Sequence, residues 1–444
     1  MSALAQYTGS RGVRFIRLSS VLLIGSVMCC ATALGASRHP LDPLSGDEIA
    51  KAAAVIASSN KTNAGTRATM ITLMEPDKAK VRAWKQGDMI GRRAFAVLRS
   101  RGQTIEAVIN LATRTLESWS PVPGAQPAIL SSEWSMAQKL VKRDPAWRRA
   151  MAKRGYTSFD RIFCDPLSAG YFGSEKNAGK RLIRMPCYDV SGATSNVYAR
   201  PIEGVIATVD LDAGKIVELL DIGQVRVRND NDGFDEGSIK DLREPLKPVR
   251  VEAPDGWNFK LEGRMLKWQN WSMHLGFDQR FGPVLSLVSY RDKGRPRSIL
   301  YQAHVSEVFV PYMDPAPGWA FRAYMDAGEY GLGRLSSTLR PGIDCPADAT
   351  FLDVVLSTPL GRSVRRRQVM CVFERDTAAP LWRHAEALNK AYEGRPATEL
   401  VVRSIPSIAH YDYVIDWIFT QSGMIEVKIG ATGIDAVKGV NIPV

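Results

Sequence analysis

The chain has 444 residues, a formal net charge of +12, 45% hydrophobic residues and 23% charged residues. This is ordinary globular composition, with room for several domains and a large core, and it excludes a disordered chain. The basic residues are spread out apart from Arg365-Arg366-Arg367, and no basic patch is interleaved with aromatics, so no nucleic-acid partner is expected.

The N-terminus reads as a signal peptide over residues 1–36, which predicts an exported, periplasmic or extracellular protein. Arg11, Arg14 and Arg17 precede the apolar run from Leu18 to Met28, and small residues around Ala31-Thr32-Ala33 and Gly35-Ala36 follow. The competing reading is an uncleaved membrane anchor, although the run is short for a span of roughly 20 residues. Cys29 and Cys30 leave with the leader. Four cysteines remain, Cys164, Cys187, Cys345 and Cys371, with no Cys-x-x-Cys pair. An even count in an exported chain points to two disulfides between sequence neighbours, with free buried thiols as the alternative.

Ser45 and Glu48 form a capping-box pattern before an alanine-rich helix ending near Ser58. Strand patterns follow at 68–74, 93–98, 104–110 and 115–120, giving a small helix-plus-meander domain over 39–127. A second domain over 131–228 repeats the plan. It has helices from Ser131 to Lys142 and from Pro145 to Gly155, then strands at 181–188, 196–200, 202–210 and 216–221. Residues 229–254 are charged and turn-rich and read as a linker. From 255 to 444 helical periodicity nearly disappears. Short β-rich runs at 265–275, 284–290, 297–310, 351–356, 368–374, 399–404, 413–419 and 424–429 argue for a large antiparallel sandwich. The fold class expected is therefore α+β: two small helix-plus-antiparallel-meander domains followed by a large, incomplete antiparallel β-sandwich.

One stretch of that last region carries chemistry: Ala409-His410-Tyr411-Asp412-Tyr413. On pattern alone it is a buried strand, Tyr411 a core tyrosine, and Asp326 a turn residue before Gly328. Several segments together, however, resemble the copper amine oxidases and lie closest to their plant-type branch. They are HPLDPLSGDEI, CDPLSAGYFGSEKN with YARPIEGVIATVDLD, WQNWSMHLGFDQRFGPVLSLVSY, VSEVFVPYMDP, AYMDAGEYGLG, CVFER and the stretch around Tyr411. The resemblance runs from about His39 to the last residue. It implies that Tyr411 is the precursor of topaquinone, although His410 stands where the family carries asparagine.

The same resemblance implies that Asp326 is the catalytic base, that Tyr324 is the gate beside the cofactor, and that Tyr312 hydrogen-bonds a cofactor oxygen. Tyr324, Ala327, Gly328, Tyr330, Leu335, Ile408, His410 and Tyr413 would line the substrate channel. It pairs Cys345 with Cys371 and Cys164 with Cys187. The implied reaction is oxidation of a primary amine by dioxygen through a topaquinone Schiff base, giving aldehyde, ammonia and hydrogen peroxide with ping-pong kinetics. A homodimer is implied as well.

Copper is the family's second cofactor, and its histidine ligands, including a His-x-His pair, lie downstream of the cofactor tyrosine. This chain has five histidines, His39, His274, His304, His384 and His410, and none matches a ligand position, so no metal ligand is assigned. Strand alternation would also aim His410 away from Tyr411. Val444 comes before the ligand segment, which leads to the expectation of a truncated product or a separately encoded C-terminal segment. The alternative function is a catalytically silent remnant or binding protein without copper. A flavin enzyme is not expected, because no Gly-x-Gly-x-x-Gly follows a leading strand.

Overall fold

In the computed structural model, residues 38–441 are described except 193–194 and 229–232. The expected signal peptide lies outside the described residues. Among the described residues no helix is long and apolar enough to cross a membrane.

The first element is the helix Gly46–Ser58, and its capping box is formed as the sequence indicates. Glu48 N–H reaches Ser45 Oγ at 3.2 Å and Ser45 N–H reaches Glu48 Oε2 at 2.8 Å. Ile49, Ala52 and Ile56 lie on one face of this helix. They pack on the four-stranded antiparallel sheet Arg67–Met74, Arg93–Ser100, Gln103–Asn110 and Thr115–Pro121. A short helix that the sequence did not suggest, Lys78–Ala83, is capped by the Asp77 carboxylate.

The next segment repeats this plan. The helices Ser131–Arg143 and Pro145–Lys153 cover a sheet whose main strands are Leu182–Asp189, Pro201–Asp210 and Lys215–Asp221. Gly155 takes a positive φ of 86° just past the second helix, where a Cβ would be strained. Residues 196–200, expected as a strand, form a turn instead. The disulfide Cys164–Cys187 ties Ile162–Cys164 to the central strand, and Cys345–Cys371 closes a loop further on.

The C-terminal part is antiparallel β. One five-stranded sheet runs in sequence order from Lys260–Glu262 to Arg295–Ala303. The expected run 265–275 is split into two strands by a tight turn in which Gln269 has φ 51°. A six-stranded sheet follows, including Thr350–Ser357, Ser363–Ala385, Tyr392–Ser404, Tyr411–Thr420 and Ile425–Gly433. Overall the molecule is mostly antiparallel β with few helices. One apolar core runs from Ile129 through Trp147 and Ile183 to Trp271, Tyr413 and Phe419, so the second helix–sheet segment packs directly on the C-terminal sheets.

Candidate active site

The site forms along that shared core. Ser407–Ile408 and Tyr411–Thr420 make a tight hairpin in which Ile408 faces Tyr411 and Ala409 takes a left-handed φ of 52°. Tyr411 also pairs with Gly433 on its other side. A short ladder, Phe309–Pro311 with Ala323–Met325, sets Val310 opposite Tyr324. Residues Asp326–Tyr330 then form one wide helical turn, closed by Gly331 N–H to Asp326 C=O at 2.9 Å.

These segments enclose a cavity of about 320 Å³ lined by Tyr312, Tyr324, Asp326, Tyr330, Leu335, Ile408, His410, Tyr411 and Tyr413. Strand alternation holds at 324–326, since Tyr324 and Asp326 are buried and Met325 is exposed. The phenol oxygens of Tyr312 and Tyr411 lie 3.3 Å apart. The Tyr413 hydroxyl donates to Asp326 Oδ2 at 2.9 Å. Burial pushes the Asp326 carboxyl up to about 7; the Tyr413 hydrogen bond opposes this, and the charges of Glu307 and Glu329 reinforce it. Burial also raises Tyr312, aided by its bond to Tyr411, and raises Tyr324 well above the ordinary phenol range.

Two expectations need correction. Ala327 and Gly328 do not line this cavity. Their N–H groups donate to Glu307 at 2.6 and 3.0 Å, so they shape the turn that presents Asp326. His410 does not point away from the Tyr411 side. The hairpin turn at 409–410 suspends strand alternation, and His410 lines the same cavity as Tyr411. Its ring packs on Tyr198 at 4.1 Å, and burial followed by the Arg322 charge lowers its pKa to about 4.

Several lining residues were not singled out from the sequence: Trp134, Asp165, Tyr198 and Arg322. Asp165 and Tyr198 fall inside segments already quoted for the family resemblance, but no local pattern marks either as buried. Glu307, which holds the Asp326 turn, also lacked a signal.

Copper requires several well-placed donors, imidazoles among them. Among the described residues, the one group of three or more His, Cys, Asp or Glu side chains that converge is His39, Asp42 and His274, and none of these lines the cavity. His39 Nδ1 accepts from Leu41 N–H at 3.1 Å, and its ring stacks on His274 at 4.5 Å, so this group acts as a clamp between segments. The cavity itself holds a single imidazole, that of His410. The described residues therefore do not fit a copper site beside Tyr411. They do fit a quinone made from Tyr411, whose ring stands in the cavity with Tyr312 at its oxygen.

The site is thus a buried carboxylate, held by one phenol and sharing a cavity with a phenol pair, on an antiparallel β scaffold. Comparison with known proteins gives that site a family. The profile described as "Copper amine oxidase, enzyme domain" matches residues 260–442. The N2 and N3 domain profiles of the same family match 39–122 and 132–234. "Primary amine oxidase" of Klebsiella aerogenes is 36% identical over 410 residues, covering 90% of this chain and 53% of that protein. "Amine oxidase [copper-containing] gamma 1" of Arabidopsis thaliana is 35% identical over 415 residues, covering 90% and 58%. A solved copper-containing benzylamine oxidase from Hansenula polymorpha shares the fold, with a TM-score of 0.79 at 23% identity over 91% of this chain and 66% of that one. The chain belongs to the copper amine oxidase family and spans a little over half the length of these two curated relatives.

Proposed function

We propose that this cavity oxidises primary amines to aldehydes, with Asp326 as the base and Tyr411 as the site of the quinone. The observation that carries the reading is the convergence of Tyr411, Tyr312, Asp326 and Tyr413 in one buried cavity, with the pairings of 3.3 and 2.9 Å intact. That intact geometry favours the catalytic reading over the silent-remnant alternative.

A quinone at Tyr411 supplies the electron sink that no ordinary side chain offers. Asp326, ionised above about pH 7, takes a proton from the carbon bonded to the amine nitrogen. General-base transfer of this kind is typically worth about 10²–10⁴ in rate. Tyr413 fixes the carboxylate through Oδ2, Glu307 fixes the turn beneath it, and Tyr312 fixes the oxygen of Tyr411. Tyr324, almost fully buried, forms part of the wall of the same cavity. No step of this reading passes through copper.

We also read the small helix–sheet segments as domains over 39–127 and 131–228, and the sheets of 255–444 as parts of an antiparallel sandwich. Export fits the two disulfides. A homodimer follows the family. The test of the reading is amine-dependent release of hydrogen peroxide by the protein. Asp326→Asn and Tyr411→Phe should each abolish it, and activity retained in either variant would refute the assignment.

A further inference from the structure

A single turn of five residues has few backbone bonds of its own, so the groups of Asp326–Tyr330 need partners from elsewhere. Asp326 N–H donates to Val308 C=O at 3.0 Å, and Glu307 takes the next two N–H groups. Glu329 folds back over the start of the turn, where its Oε2 accepts from Met325 N–H at 3.2 Å. Its Oε1 accepts from the Ser168 hydroxyl at 2.8 Å. Ser168 lies in the second helix–sheet segment, on the short strand Leu167–Ser168 paired with Leu182–Asp189. Its own N–H donates to the Tyr330 hydroxyl at 3.0 Å. Ile129, from the start of the same segment, donates its N–H to the Glu329 carbonyl at 2.9 Å, and Arg334 donates to the Ile129 carbonyl at 2.7 Å.

Neither Ser168 nor Glu329 lines the cavity that holds Tyr411, so both lie behind the base rather than beside a bound amine. Glu329 bears on Asp326 in two ways. It ties down the residue before the base, and its charge joins that of Glu307 in adding to the rise that burial causes in the Asp326 carboxyl. Burial raises the Glu329 carboxyl as well. The bonds from Ser168 and Met325 oppose that rise and favour the charged form, while the Glu307 charge adds to it. The other ionisable groups around the turn are Tyr330 on the turn itself, Tyr413 bonded to Asp326, and Arg280, whose Nη2 would lie 3.6 Å from a Cβ at Gly328. Lys180 and Arg181 line the outer cavity that Glu329 also borders, and Arg181 is paired with Glu133 at 2.7 Å.

We propose that Glu329 is a positioning residue for the Asp326 base and that Ser168 locks it in place, so that the second helix–sheet segment sets both the aim and the proton affinity of that base. The inference rests on the amine-oxidising reading above. Both residues act through Asp326 and neither contacts the reacting atoms.

The test is an infrared pH titration of the Asp326 carboxyl in the whole protein, its band assigned by loss in Asp326→Asn, together with kcat and KM for peroxide release from benzylamine and n-butylamine. Glu329→Gln removes the charge and keeps both side-chain bonds, because the amide can accept from Met325 N–H and donate to Ser168 Oγ. It should lower the Asp326 midpoint by about half a pH unit or more. Ser168→Ala keeps the charge and removes one bond. It should lower kcat about threefold or more with KM unchanged, and Ser168→Thr should restore kcat. Thermal melts establish that each variant folds, and Ser168→Ala decides alone if Glu329→Gln does not. A midpoint that stays put or rises in folded Glu329→Gln, or a kcat that Ser168→Ala leaves intact, would overturn the role of Glu329 and Ser168 and leave the oxidase reading standing. If wild type releases no peroxide from either amine, the amine-oxidising reading fails, and this part in the reaction fails with it.

Discussion

Replacing Tyr413 by phenylalanine removes one hydroxyl and tests how the proposed base, Asp326, is tuned. In the folded protein the Asp326 carboxyl is raised from 3.8 to about 7, a shift corresponding to about 4 kcal/mol against ionisation. The sign follows from linkage. A carboxyl raised on folding keeps its proton in the native state, so its favourable contribution is full at low pH and is lost as pH rises from about 4 through about 7. The Tyr413 hydroxyl works against that shift by donating to the carboxylate at 2.9 Å. A hydrogen bond to a charged group is worth about 1.5–3 kcal/mol and a neutral one about 0.5–1.5, so deletion harms the ionised form by about 1–1.5 kcal/mol more. Tyr413→Phe should therefore raise the Asp326 pKa by about one pH unit and destabilise the fold more at pH 9 than at pH 5. The assay is a pH titration of the protonated-carboxyl infrared band, assigned by its loss in Asp326→Asn. A midpoint that stays put or falls would refute the claim that Tyr413 holds the ionised base.

Three further outcomes follow from the same structure. Gly433 has a φ of +112°, and a Cβ there would lie 2.2 Å from the His410 carbonyl, so Gly433→Ala should cost about 2 kcal/mol or more in thermal melts and disturb the turn bearing Tyr411. Removing the Cys164–Cys187 link, whose cysteines are 23 residues apart, as a double serine variant should cost about 3 kcal/mol in urea unfolding and loosen the wall holding Asp165. Burial raises the Asp42 carboxyl, but its bond to the fully buried His274 at 2.9 Å, together with the charges of His274, Arg38 and Arg264, outweighs that and holds it below the usual range. Asp42→Asn should thus cost about 1.5–3 kcal/mol at neutral pH, with the difference from wild type shrinking as pH falls through the depressed native value of Asp42.

Much of the local structure was legible because it depends on nearest neighbours. The capping box at Ser45, the proline start at 145 and the glycine stop at 155 each act within a few residues, and each formed as read. What failed depended on partners distant in sequence. The hairpin Ser363–Ala385 with Tyr392–Ser404 was legible only at its buried base, 368–374 and 399–404. Beyond the base its residues are mostly exposed, and bulges around Pro380 break the alternation. Met265 to Leu275 looked like one run because Gln269 gives no glycine signal for its turn. At the site, the family motifs led to Asp326, Tyr312, Tyr324 and Tyr411, and these residues converge. His410 was misdirected because Ala409, not glycine, makes the left-handed turn beside it. Asp165 was invisible because the cavity it lines is completed by Tyr198, Arg322 and the hairpin of Tyr411, which are distant in sequence.

The central claim is that Tyr411 carries the quinone that Asp326 serves. It is tested most directly by mass spectrometry of the Tyr411 peptide, recovered from the protein as its own cells produce it. The account predicts a tyrosine that has gained two oxygens and lost two hydrogens and that reacts with phenylhydrazine. An unmodified Tyr411 in protein that still releases peroxide from amines would contradict it.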